Sequence, residues 1–340
     1  MGFAMIKKPF DTGLLAAWLL LGSVMAPFAV EGAEFALEPG IEVVGEVLTI
    51  KAEHEDTFVR LARRYNVGYD ELRFANPNVD PWLPGAGTEI TIPTRFVLPR
   101  VERKGIIINV PELRIYYFPS DRQTVITHPI SIGRMDWPTP YGRTTVVAKA
   151  EKPTWYPPQS VRDEHAARND PLPAVVPPGP DNPLGDYALR LGIPGYLIHG
   201  TNKPAGLGLR VSHGCIRMFP EDVEALFGQV AVGTPVTLIN QPFKMGWGAD
   251  GLYLEAHQPL SEDQQSGEWS ATELTRQFVA ATQDRDGRVS WQTAESVMQD
   301  GRGLPEFISP ERIDADAGAI APFAAPLGVP VSSESSAAND

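Results

Sequence analysis

The chain holds one cysteine in 340 residues, Cys215, so no disulfide can form within it. In an oxidising compartment an unpaired thiol is either avoided or put to use. Positive charge is also short: 29 Lys and Arg stand against 42 Asp and Glu, a formal net charge of −13. Nucleic-acid binding is driven by Lys and Arg, so no nucleic acid is expected as a partner. The segment Asp284-Arg285-Asp286-Gly287 lacks the carboxylates of a calcium loop, because a glycine at position six puts Thr282 and Thr293 at positions one and twelve. Gly2 lacks the Ser or Thr four residues on that myristoylation requires. What is plentiful is glycine, 31, and proline, 33, which suits a β-rich fold with many turns. Hydrophobic residues at 43% and charged residues at 21% are ordinary for a globular protein, and the length allows two or three domains.

Residues 1–33 read as a signal peptide. Lys7 and Lys8 precede an apolar stretch at 14–30, and small residues at Ala29, Gly32 and Ala33 suit cleavage. The apolar stretch is 17 residues long, at the short edge for a membrane span, so an uncleaved anchor stays open as the alternative.

Cys215 lies in a segment dense with chemistry: Ile198-His199-Gly200-Thr201, then Ser212-His213-Gly214-Cys215-Ile216-Arg217. A free thiol is only a few per cent thiolate at neutral pH, so a nucleophilic cysteine needs a base or a cation beside it. In an extended chain His213, Cys215 and Arg217 point to one side. A neutral imidazole within reach takes the proton, and a cation favours the thiolate. The amides of Gly214 and Cys215 are candidate donors to an oxyanion. This constellation suits acyl transfer through a thioester. A buried structural thiol is the usual fate of a lone cysteine, but His, Gly and Arg within five residues argue against packing alone. His199, His213 and Cys215 could supply three zinc ligands, yet their spacing matches none of the common patterns, so no metal is expected. Spacing alone does not choose between His199 and His213 as the base.

These residues resemble the signature of the L,D-transpeptidases, the YkuD-like cysteine acyltransferases of bacterial cell walls. Ile132-Gly133-Arg134, Thr139-Pro140-Tyr141-Gly142, Pro153-Thr154-Trp155 and Gly179-Pro180-Asp181-Asn182-Pro183-Leu184-Gly185 are similar to the Gram-negative, ErfK/YbiS-type branch. The resemblance covers 104–240 and implies a catalytic domain there, mainly β, a sandwich or barrel with one or two short helices. It implies Cys215 as nucleophile and His199 as general base and acid, oriented by the carbonyl of Gly200. His213 and Gly214 would line the oxyanion side, Ser212 would shape the loop, and Arg217 would hold the loop or the substrate. No cofactor is implied. The implied substrates are peptidoglycan stem peptides and glycan strands in the periplasm. The acceptor is a second stem, giving a 3-3 cross-link, or a lysine of an outer-membrane lipoprotein. With water as acceptor the enzyme would be an L,D-carboxypeptidase, and with the site inactive it would be a wall-binding protein. Carbapenems are the expected covalent inhibitors.

At 45–93 a strand at Val47-Leu48-Thr49-Ile50, a helix capped by Asp56-Thr57, a second helix from Tyr69 and a strand at Glu89-Ile90-Thr91-Ile92 resemble a βααβ LysM-like, peptidoglycan-binding module. Ile106-Ile107-Ile108-Asn109-Val110 and Arg114-Ile115-Tyr116-Tyr117-Phe118 predict a hairpin. The segment 155–186 holds eight prolines and predicts a long loop over the active-site groove, with Trp155, Tyr156 and Tyr187 as substrate platforms. Pro220 opens a predicted helix, followed by a strand at 235–239. A small appendage with a strand at 252–256 and helices at 272–282 and 291–298 fills 241–313, and 314–340, rich in Ala, Pro and Ser, reads as a disordered tail.

Overall fold

The computed structural model describes residues 32–121, 123–264, 269–285 and 287–309. Most of the leader and the whole of the 314–340 tail lie outside the described residues. The fold is mainly β, organised on a nine-stranded mixed sheet. Its strands run in the order Ala33–Ala36, Thr124–Pro129, Arg114–Phe118, Gly105–Asn109, Pro235–Ile239, Gly142–Glu151, Tyr187–Leu191, Leu197–His199 and Ile216–Arg217. The strand Gly142–Glu151 belongs to two halves at once. Its first residues pair with Pro235–Ile239 and its last with Tyr187–Leu191, and the register shifts between Val146 and Ala148. Such an irregularity bends a strand and raises its twist, so the sheet curls on itself here.

The curl encloses the core. Ile106, Ile108, Ile115, Leu189, Ile198, Ile216 and Val236 are fully buried inside it, together with Val223 of the helix Pro220–Gln229. Proline at the first position of that helix donates no amide where none is needed, and Glu221 and Asp222 complement the positive end of its dipole. At the other end Lys149 donates to the carbonyls of Phe227 and Val230, the latter at 2.7 Å. The helix is thereby fixed against the back of the strands that carry the site.

Before this domain the chain makes an excursion. Ala33–Ala36 is already the edge of the large sheet, paired with 124–127, so the first strand begins at the last residue expected in the leader. Val43–Gly45 then pairs with Arg95–Val97, and between them lies a βααβ unit. Leu48–Lys51 pairs with Glu89–Ile92, and the helices Phe58–Tyr65 and Tyr69–Ala75 pack on that ribbon through Phe58, Leu61, Leu72, Ile90 and Ile92. Thr57 caps the first helix by accepting from the Arg60 amide. After the large sheet, Phe243–Trp247, Leu252–Ala256 and Glu306–Phe307 form a small sheet covered by the helices Ala271–Thr282 and Trp291–Asp300.

The three parts meet at buried charges. Arg114, fully buried in the large sheet, makes a bidentate pair with Glu71 of the second helix at 3.0 and 2.5 Å. Lys244 of the small sheet lies 2.7 Å from Glu112 and 2.8 Å from Glu255, with His257 bonded to Glu255.

Candidate active site

Strand register builds the site. Leu197–His199 and Ile216–Arg217 run parallel, with Ile198 beside Ile216 and His199 beside Arg217. Successive side chains on a strand point to opposite faces. Since Ile198 and Ile216 fill the core, His199 and Arg217 stand on the other face, and Cys215, one residue before the strand, joins them there. With ordinary strand spacings the Cα atoms of Cys215 and His199 are roughly 8 Å apart on the diagonal.

His199 is buried, and its Nδ1 lies 2.7 Å from the Gly200 carbonyl. A carbonyl only accepts, so Nδ1 carries the proton and Nε2 is left as a lone pair. Burial first, and then the charge of Arg217, push the imidazole down to about 4, against the pull of the Gly200 and Leu184 carbonyls. Burial pushes the Cys215 thiol up, while the Leu197 amide and the Arg217 guanidinium pull it back. At neutral pH the two groups therefore rest as neutral imidazole and neutral thiol. Sγ lies 3.5 Å from the Gly195 carbonyl.

The turn before Cys215 is held tightly. Ser212 Oγ donates to the Cys215 carbonyl at 2.5 Å and accepts from the Gly214 amide at 3.1 Å. The Gly214 amide is thus committed to Ser212 and is not available to an oxyanion, which corrects the sequence expectation and leaves the Cys215 amide as the donor from that pair. Gly214 has φ +98°, and a Cβ there would sit 2.8 Å from the Tyr196 ring. Its carbonyl accepts from Thr139 Oγ1 at 2.8 Å, and Thr139 accepts in turn from the Gly133 amide at 3.0 Å.

His213 faces another partner. Its Nε2 lies 2.9 Å from Glu164, whose carboxylate also pairs with Arg134 and Arg168, each at 2.5 Å. Hydrogen bonds from Arg134 and His213 hold Glu164 down at about 2. The Trp137 and His213 rings meet in a T-shaped contact at 5.2 Å between centroids. His213 thus spends Nε2 on Glu164 and ties the cysteine turn to that carboxylate.

The proline-rich strap is more ordered than a loop. Trp155 and Val176 exchange backbone bonds of 2.9 Å, and fully buried Asn182 donates to the Pro153 carbonyl at 2.7 Å while accepting from the Leu184 amide at 2.9 Å. Between these ties the chain forms the helix Gln159–Ala167, which delivers Glu164 to His213. Of the expected platforms, Tyr156 is 69% exposed and Trp155 is half-buried at the strap's base. Tyr187 is not a platform: it points to the opposite face from His199, packs on Phe227 at 4.9 Å and donates to Glu224 at 3.1 Å. Its number is odd within a strand whose even residue, Ala188, pairs with His199, so register decides the side.

Arg217 is anchored through its backbone, which exchanges two 2.9 Å bonds with Ser131. Its side-chain Nε is buried with no hydrogen-bond partner among the described residues. Sequence reading missed Glu164, Trp137 and Tyr196; none sits at a motif spacing from Cys215, and only folding brings them in. Among the described residues, Glu112, Glu255 and His257 form the one cluster with metal-ligand geometry. Lys244 already supplies a cation to both carboxylates there.

Residues 103–238 match the model of the L,D-transpeptidase catalytic domain, YkuD. The chain is 46% identical over 265 residues to the probable L,D-transpeptidase YcfS of Escherichia coli, covering 76% of this chain and 82% of that one. The chain belongs to the L,D-transpeptidase family. It is also 41% identical over 280 residues to the probable L,D-transpeptidase ErfK/SrfK of Escherichia coli, covering 79% of this chain and 88% of the relative. With the probable L,D-transpeptidase YbiS of the same organism the identity is 45% over 226 residues, 65% of this chain and 74% of the relative. The matched segment of this L,D-transpeptidase contains His199, the strap and Cys215 together.

Proposed function

We propose that this L,D-transpeptidase acts on peptidoglycan, with Cys215 as nucleophile and His199 as its general base and acid. The observation that carries the proposal is the Gly200 carbonyl holding the proton of His199 on Nδ1, which leaves Nε2 an acceptor on a residue whose strand register puts it on the face of Arg217. Cys215 Sγ attacks the carbonyl carbon between the L-centre of diaminopimelate and the terminal D-alanine, and its proton passes to His199 Nε2. The C–N bond then breaks, the imidazolium returns that proton to the leaving amine, and D-alanine departs. An imidazole held down to about 4 is a strong acid once protonated, which suits it to expelling an amine. The acceptor amine attacks the thioester, His199 takes its proton, and the thiolate leaves and is reprotonated.

Arg217 favours the thiolate and the oxyanion and disfavours a resting imidazolium. Its unpartnered Nε suits an oxygen of the donor peptide. Tyr156 and Trp155 offer apolar surface along the strap for the stem. The leader places the enzyme in the periplasm, and the βααβ unit is a LysM-like binder of glycan strands. The acceptor is a second stem or a lipoprotein lysine.

The test is muropeptide analysis of tetrapeptide-bearing sacculi incubated with wild type or Cys215→Ala, with a second stem and a lipoprotein peptide both supplied. D-Alanine release and one acceptor product with the wild type only support the proposal. The same products from the variant overturn it.

A further inference from the structure

The βααβ unit touches the catalytic domain on both flanks of Cys215. Upstream, the loop 204–209 leads into the strand Arg210–Ser212 and so into the cysteine turn. The carbonyls of Leu207 and Gly208 in that loop accept from the amides of Tyr69 and Asp70, at 3.2 and 3.3 Å. These amides are the first two of the helix Tyr69–Ala75, donors that the helix itself cannot satisfy. The contact is backbone on backbone. Gly208 has φ +83°, and a Cβ there would fall 2.3 Å from the Tyr69 nitrogen and 2.4 Å from the Gly68 Cα. The other side of the loop is pinned by Ser131, whose hydroxyl donates to the Gly206 carbonyl at 3.1 Å and accepts from the Leu209 amide at 3.2 Å. Ser131 is also the backbone partner of Arg217.

Downstream, the unit grips the first turn of the helix Pro220–Gln229, which begins five residues after the thiol. Asn66 donates to Asp222 at 2.7 Å, and both residues are buried. Arg63 adds a two-pronged pair to Glu221 at 2.8 and 3.0 Å, exposed and therefore of small weight. Asn66 takes the left-handed conformation, φ 52°, that ends the first helix, so its side chain is aimed by the cap itself.

We propose that Asn66 and Gly208 are positioning residues for the acyl-transfer step, and that the βααβ unit forms a fixed wall of the active-site loop in addition to any glycan it binds. A tethered binding module would raise the local concentration of polymer substrate and leave the chemistry of a small one untouched. A wall of this kind acts on every substrate, because it sets where the turn bearing Cys215 sits relative to His199. A displacement of about 1 Å at a reacting group costs on the order of a hundredfold in rate.

The inference rests on Cys215 being the nucleophile, and the experiment separates the two. Full-length wild type, Asn66→Gly, Gly208→Ala and Cys215→Ala are given a soluble tetrapeptide without glycan, and D-alanine release is followed. Glycine accepts the conformation of residue 66 without strain, so Asn66→Gly keeps the helix cap while removing the buried side chain that bonds Asp222, and it stands even if Gly208→Ala fails to fold. The expected result is kcat lowered at least tenfold in Asn66→Gly and in folded Gly208→Ala, with KM within twofold and with pelleting on sacculi unchanged. Wild-type kcat in Asn66→Gly overturns the wall, as does a loss confined to sacculus substrates. Turnover by Cys215→Ala would overturn the nucleophile assignment instead.

Discussion

His199 and Arg217 are register partners on adjacent parallel strands and stand on the same face of the sheet. Burial resists protonation of the ring. The guanidinium beside it adds to that resistance, and together they hold His199 at about 4, well under the ordinary imidazole value near 6.5. The pairing keeps the His199 ring neutral down to about pH 5.

The pH dependence of Cys215 acylation follows from this. A lowered imidazole stays neutral as pH falls through 6.5 and is lost only near 4. Acylation by a carbapenem is expected to stay level between about pH 5.5 and 8 and to drop below about 5. Stopped-flow acylation rates across that range check it, and a rate that halves near pH 6.5 contradicts it. The sign is opposite for Arg217→Met, which removes a positive neighbour and moves the acid limb upward.

Gly214→Ala is expected to lower the acylation rate at least a hundredfold in a protein that still folds. The new Cβ meets the Tyr196 ring at 2.8 Å, and φ +98° strains any residue with a side chain. The measurement is the acylation rate beside a thermal melt. Truncating Tyr196 to alanine in the same chain relieves the contact and not the strain, so recovery is expected to be partial.

Much of this site was legible in the residues. The Gly200 carbonyl beside His199 follows from a motif, and the strand pattern around 105–118 and 235–239 follows from β-branched runs between Gly and Pro. The helix Gln159–Ala167 was not legible, because eight prolines in its neighbourhood mask nine residues without one. The face of Tyr187 was lost for another reason: a one-residue difference in register reverses every side chain, and only the pairing of Ala188 with His199 settles it. Chain order likewise suggested a module followed by a domain, whereas Ala33–Ala36 joins the large sheet before the βααβ unit begins.

Glu164 ties the strap to the cysteine turn, so Glu164→Ala is expected to free it. Limited proteolysis should cut 159–175 at least tenfold faster than in wild type, and KM for the tetrapeptide should rise several-fold. Glu164→Gln retains a hydrogen-bond acceptor and should fall between the two. Unchanged cleavage in Glu164→Ala would show that the strap is held by Asn182 and the Trp155 pair alone.

Lys244 lies fully buried between Glu112 and Glu255. Lys244→Met leaves two carboxylates without their cation, and breaking a buried pair in this way costs about 3–5 kcal/mol. Thermal or urea unfolding measures it, and a change under about 1 kcal/mol contradicts it. Burial alone would raise Glu112, but Lys244 and then His257 bring it down to about 2. Its contribution to stability is accordingly complete above the ordinary carboxylate value near 4.5 and fades as pH falls toward 2.

Intact-mass spectrometry of the protein mixed with a carbapenem tests most directly whether Cys215 is a nucleophile activated by His199. Wild type should gain one carbapenem mass, localised by peptide mapping to Cys215; Cys215→Ala should gain none, and His199→Gln should gain it at least a hundredfold more slowly. An adduct of equal rate in His199→Gln, or any adduct on Cys215→Ala, would contradict the account.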